Sequence, residues 1–231
     1  MTQHRSGHLI VIAGTDGSGK ATQSERLIER LQAHSIPCAG IEFPQYDKTF
    51  FGDMVARYLN GEFGDHDAIG PYLASILYAG DRWQAKDRLH AWLAEGKTVV
   101  CNRYVSANQG HQGGKIADPA ERARFLEWLD RLEFEVFGIP RPNLVVFLHV
   151  SPEVSQSLVD KKGERSYLKA GKRDIHEASL DHLRNAEQAY CRLAETNPNW
   201  VRIECAPSGR LLGEEEIAEM VWKQVAKLVR I

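Results

Sequence analysis

Seven consecutive residues carry the clearest chemistry in this chain: Gly14-Thr15-Asp16-Gly17-Ser18-Gly19-Lys20. Glycines at this spacing, ending in a lysine, let backbone N–H groups close around a polyphosphate at the start of a helix. Lys20 adds a point charge for the outer phosphates. The next residue in such loops is usually Ser or Thr, whose hydroxyl reaches a metal ion; here it is Ala21. Thr22 follows one position later, about 100° further round a helix. A second region with chemical potential is Asp160–Arg173, which is polar, contains Gly163 and Gly171, and crowds together Lys161, Lys162, Arg165, Lys169, Lys172 and Arg173. It reads as a short basic lid at about 160–175.

The elements that must hold these groups follow from short apolar runs alternating with longer amphipathic stretches. Strands are expected at Leu9–Ala13, Ile36–Phe43, Thr98–Cys101, Leu144–Val150 and Trp200–Cys205. Helices are expected at Lys20–His34, Phe50–Leu59, Tyr72–Ala94, Pro119–Val136, Glu177–Glu195 and Glu214–Val229. Leu144–Val150 is apolar on both faces, as a central parallel strand should be. Ser151-Pro152-Glu153 has the N-cap, first-turn proline and acid of a helix start. Strands separated by helices imply an α/β fold: a five-stranded parallel sheet with helices on both faces, in a single domain over residues 1–231. The phosphate loop falls between the first strand and the first helix.

Gly14-Thr15-Asp16-Gly17-Ser18-Gly19-Lys20-Ala21-Thr22-Gln23 resembles the G-x-D-G-x-G-K-x-T-Q loop of thymidylate kinases, which are P-loop nucleoside monophosphate kinases. Phe43-Pro44-Gln45-Tyr46 is similar to that family's F-P-R-Y segment, and Tyr78-Ala79-Gly80-Asp81-Arg82 to its F-x-x-D-R segment. Asn102-Arg103-Tyr104 resembles its D-R-Y triplet, placed after the third strand, where ligands bind in open α/β sheets. Leu132-Glu133-Phe134 and Gly138–Pro142 look like its approach to the fourth strand.

The resemblance implies transfer of the γ-phosphate of ATP to dTMP, with Mg²⁺ as companion ion. ATP would lie on Gly14, Thr15, Asp16, Gly17, Ser18, Gly19, Lys20, Ala21 and Thr22. Asp16 would accept from the acceptor's 3′-hydroxyl, and Phe43 and Tyr46 would border the acceptor. Tyr78 would stack on the base and Arg82 reach its oxygen; a flat ring holds a base by its π-face, and arginine donates to a carbonyl. Arg103 would hold the acceptor phosphate as a charge-assisted fork. Asn108 would meet the base, and His111 stands where the family commonly has a tyrosine near the sugar. Lys20, Arg103 and the lid residues Arg165 and Arg173 are the expected catalytic set, because Gly17 leaves the loop without an arginine.

Besides His111, Gln45 replaces an arginine for the acceptor phosphate and Asn102 replaces an aspartate near the metal, while Ala21 lacks the metal-facing hydroxyl of the general phosphate-loop motif. Protein ligands for Mg²⁺ are therefore unassigned, with phosphates and water expected to hold it. A kinase of dUMP or a deoxynucleoside, or a nucleotide-binding module that has lost catalysis, are the other readings these departures leave open.

Composition narrows the field. Lys plus Arg is 29 against 31 acids, a net charge of -2, so no general basic surface points to nucleic acid. No apolar run approaches the roughly 20 residues of a membrane span. Cys38, Cys101, Cys191 and Cys205 form no C-x-x-C pair, which fits a reduced, cytoplasmic setting. Small-molecule nucleotides are the expected partners, and the resemblance adds a homodimer.

Overall fold

The computed structural model describes residues 7–64, 69–160 and 180–229. Five parallel strands form one sheet: β1 (His8–Ala13), β2 (Cys38–Glu42), β3 (Thr98–Asn102), β4 (Leu144–His149) and β5 (Trp200–Glu204), in the order β2-β3-β1-β4-β5. β1 lies between β3 and β4, with Leu9 opposite Val99 and Val11 opposite Val145. The expected second strand starts later than its apolar pattern because Pro37 has no N–H for the ladder.

Alternation along the central strands divides the core in two. Leu9, Val11, Val99, Cys101, Val145 and Phe147 pack with Leu89, Phe125, Leu129 and Tyr190 on one face. Ile10, Ile12, Val100, Val146 and Leu148 pack with Leu27, Leu31, Val221, Trp222 and Val225 on the other. The second group comes from α1 (Lys20–Ala33) and α9 (Glu214–Val229), which meet each other over that face. The first group draws on α4 (Lys86–Ala94), α6 (Pro119–Asp130) and α8 (Leu180–Thr196), so the sheet is covered on both sides. Each fully buried Leu or Phe on these faces contributes roughly 1.5–3 kcal/mol.

α2 (Phe50–Leu59) and α3 (Pro71–Gln84) pack together beside the sheet around Val55, Tyr58, Leu59 and Ala74. Their bounds depart from expectation at one point. The stretch Tyr72–Ala94 is two helices, α3 and α4, meeting at Ala85 with φ −94° and ψ −1°. No Gly or Pro marks this break, and the bridge-region geometry interrupts the ladder without disturbing the apolar period. It lets α3 face α2 while α4 turns Leu89 under the sheet.

Pro119–Val136 is also not uniform. α6 ends at Asp130, and Arg131–Val136 continues as a π-helix. A short helix that periodicity did not announce, α5 (Val105–His111), begins three residues after β3. The helix start at Ser151-Pro152 is as expected: α7 (Pro152–Asp160) follows, and Ser151 Oγ accepts from the N–H of Val154 at 3.3 Å. The start of the expected helix at Glu177 and the basic segment holding Lys161, Lys162, Arg165, Lys169, Lys172 and Arg173 lie outside the described residues.

Candidate active site

The loop between β1 and α1 is built as a phosphate cradle. Gly14 has φ +149°, and a Cβ there would stand 2.6 Å from Ser18 Oγ and 2.7 Å from the Leu148 carbonyl oxygen. Gly19 caps α1 in the left-handed region at φ 84°, which leaves the first N–H groups of the helix facing outward. Lys20 folds back over the loop and donates from Nζ to the Thr15 carbonyl at 2.7 Å. Ser155 of α7 donates to the Asp16 carbonyl and pins the loop from its other side. Thr15 Oγ1 and Ser18 Oγ are buried with no hydrogen-bond partner among the described residues.

One cavity opens from this loop along the carboxyl ends of β2 and β3. Asp16, Gly17, Gly19, Lys20 and Ala21 form its floor; Phe43 and Tyr46 come from the chain after β2, Tyr78 and Arg82 from α3, and Asn108 and His111 from α5. Arg103, in the turn after β3, completes the wall. The structure thus brings together every acceptor-side residue expected from sequence. Gly14, Thr15, Ser18 and Thr22 do not line the cavity, and Thr22 offers no replacement there for the hydroxyl missing at Ala21.

Arg103 sits at the centre. Its Nη2 is ion-paired to Asp16 Oδ1, joining the residue expected at the acceptor phosphate to the one expected at the sugar. Burial opposes its charge, but the Asp16 carboxylate outweighs that and holds the guanidinium above its ordinary pKa. Arg103 has φ +64°, a conformation that costs a non-glycine residue of order 1–3 kcal/mol. Its N–H is held by the Ile12 carbonyl at 3.1 Å, so the strain is fixed by the sheet.

Arg82 is held more tightly still. It is 2 % exposed and meets a fully buried Glu133, with Nε to Oε2 at 2.7 Å and Nη2 to Oε1 at 2.5 Å. Nη1 lies 3.4 Å from the Tyr104 carbonyl. Burial disfavours the charge on Arg82, and Glu133 overrides it, so the guanidinium stays cationic. Glu133 belongs to the π-helix, and it also accepts from Asn108 Nδ2 at 3.4 Å, while the same Nδ2 donates to the Ser75 carbonyl at 3.1 Å. One carboxylate therefore orients both of the residues expected to read the base. This role of Glu133 is not legible in the sequence, because nothing in Leu132-Glu133-Phe134 distinguishes a buried acid from a surface one.

Asp81 was missed in the same way. It is fully buried and accepts from the Gln45 N–H at 2.8 Å and from Thr49 Oγ1 at 2.5 Å. It fixes the corner that follows Phe43 and its cis bond to Pro44. Gln45 is buried against Asp81 and accepts from Arg88 Nη2 at 2.5 Å, so its side chain serves the corner rather than the cavity.

His111 is buried, with Nδ1 3.3 Å from His182 Nε2 and the two rings stacked at 5.5 Å. Burial lowers its pKa well below 6.5, Asp16 opposes that, and His182, Arg103 and Lys20 reinforce it. The neutral ring is therefore the folded form. Above about pH 6.5 both folded and unfolded chains carry it neutral; below that, the unfolded chain gains a proton the folded one refuses. Stability should fall as pH drops from 6.5 to 5.5, with about 1 kcal/mol of the loss due to this group. Urea unfolding at both pH values checks it: His111→Gln should show a smaller loss than wild type, and an equal loss would exclude His111 as the source.

Known proteins match this chain over most of its length. A family model described as thymidylate kinase matches residues 12–215. The chain is 33 % identical over 179 residues to the thymidylate kinase of Mycobacterium tuberculosis, covering 78 % of this chain and 79 % of the relative. It is 26 % identical over 202 residues to that of Danio rerio, covering 87 % and 84 %. The solved structure of thymidylate kinase from Candida albicans superposes with a TM-score of 0.75 at 19 % identity, over 97 % of this chain and 93 % of that one, a likeness of fold.

Proposed function

The chain belongs to the thymidylate kinase family of ATP-dependent phosphotransferases, and from that premise we propose that its cavity binds ATP and dTMP end to end and transfers the γ-phosphate between them. The observation that carries this is the continuity of one cavity from Lys20 to Tyr78 and Arg82, with the Arg103–Asp16 pair between the two ends. ATP lies with its outer phosphates at Lys20, and the base of dTMP lies against Tyr78, Arg82 and Asn108. Arg103 turns from Asp16 toward the acceptor phosphate, and Asp16 is released toward the sugar.

Phosphoryl transfer requires alignment and positive charge more than covalent chemistry. Lys20 and Arg103 supply charge from opposite sides. The attacking phosphate oxygen is already ionised, so no side chain need act as a general base. Glu133 and Asp81 hold Arg82 and the Phe43 corner rigid, which places the acceptor without reorganisation during the reaction. Mg²⁺, when bound, would neutralise phosphate charge; Ala21 offers it nothing, while Asp16 and Glu42 are cavity carboxylates that could face it.

The test is kcat/KM across nucleoside monophosphates, with ADP release as the readout. dTMP should exceed UMP and CMP by at least about tenfold, the scale at which a pocket discriminates one group. A flat profile, or a preference for a purine monophosphate, would remove dTMP as the acceptor.

A further inference from the structure

β2 and β3 end in register, with Glu42 directly opposite Asn102. Partners in register point to the same side of a sheet. Asn102 Nδ2 donates to Glu42 Oε1 at 2.8 Å. A carboxylate only accepts, so the amide must present its NH₂ to Glu42 and turn its oxygen away. That oxygen, Oδ1, is buried without a hydrogen-bond partner among the described residues, on a side chain 6 % exposed. Glu42 itself is exposed, and both residues border the cavity beside Lys20 and Ala21.

We propose that Glu42 is the carboxylate ligand of the divalent cation that accompanies the nucleotide phosphates, and that Asn102 is the residue that positions it. The inference rests on the phosphotransferase reading and extends it to a residue the family pattern does not mark. Mg²⁺ in phosphate sites takes one or two carboxylates and keeps several waters. Ala21 cannot contribute, and an amide at position 102 is a poorer ligand than a carboxylate. The same amide is the better neighbour for Glu42: two carboxylates this close would repel, whereas Asn102 donates to Glu42 and fixes its direction. Carboxylates that bind metals are commonly held by such a hydrogen bond. The unpartnered Oδ1 is then an acceptor for a water of the cation's shell.

The distinguishing experiment exchanges the two side chains. Mn²⁺ is titrated into the full-length protein saturated with ADP and followed by electron paramagnetic resonance, beside the Mg²⁺ dependence of turnover. Glu42→Gln should weaken Mn²⁺ binding by at least about 10-fold, and Asn102→Ala by about 10-fold, the usual cost of losing an orienting partner. ADP affinity in the presence of a chelator should stay near wild type in both, which reports an intact phosphate loop. The double variant Glu42→Gln with Asn102→Asp should recover most of the lost Mn²⁺ affinity. Unchanged Mn²⁺ affinity in Glu42→Gln would overturn the proposal, as would a double variant no better than Glu42→Gln alone, since a purely structural pair predicts that pattern. Failure of the wild type to release ADP with dTMP would instead remove the kinase reading, and Mn²⁺ binding would still be measurable.

Discussion

Lys20→Ala should fold normally and lose roughly 10²–10³-fold in kcat, the scale seen when one preorganised donor to developing charge is removed. The side chain is 6 % exposed, and its Nζ donates to the Thr15 carbonyl at 2.7 Å. That bond stays within the loop, so its loss costs little stability. The same bond shows how the ammonium is stored: Nζ rests over the cradle, where an outer phosphate would compete for it. Because the charge matters most as the phosphoryl group moves, kcat should fall much more than the affinity for dTMP, whose base sits at the far end of the cavity near Tyr78 and Arg82. Steady-state kinetics on a variant shown to fold by circular dichroism decide the matter. Near-normal turnover would mean that the loop does not hold the reacting phosphates.

Glu133→Ala should be the most damaging change to the fold of the site. It would leave the 2 % exposed Arg82 guanidinium buried without its counter-charge. Breaking such a pair from one side costs about 3–5 kcal/mol, more than the pair itself contributes. For a chain of 231 residues that corresponds to a fall of roughly 6–20 °C in Tm. Glu133→Gln should lose less, because the amide oxygen can still accept from Arg82. Asn108 shares the same carboxylate at 3.4 Å, so KM for dTMP should rise in both variants. Calorimetry and KM measurements on the two proteins test this together. If Glu133→Ala melts within a degree or two of wild type, the pair does not hold Arg82 and the positioning role falls.

The order of the strands followed from the amino-acid pattern, and that of the helices except for α5 and the break within Tyr72–Ala94. Phe50–Leu59 and Glu214–Val229 form the helices their periodicity implies, and the five apolar runs become the five parallel strands. The phosphate loop was legible because its chemistry is local: glycine spacing, a lysine, and a strand on one side with a helix on the other. Such signals survive in one dimension because they act through neighbouring residues. The family resemblance extended this to Tyr78, Arg82, Arg103, Asn108 and His111, whose positions around one cavity the structure shows.

The sequence by itself therefore determined the fold class, the donor loop and the residue types around the acceptor. Tertiary structure alone decided which partners hold those residues in place. Glu133 reaches Arg82 across 51 positions, Asp81 reaches Gln45 across 36, Asn102 reaches Glu42 across 60, and Asp16 reaches Arg103 across 87. Nothing in the local sequence of Glu133 separates a charge paired inside the protein from one in water. That distinction is made by burial, which is a property of how the helices stack on the sheet. The break at Ala85 and the π-helix at Arg131–Val136 are of the same kind: no glycine or proline announces them, and packing sets them by turning Leu89 under the sheet and Glu133 toward Arg82.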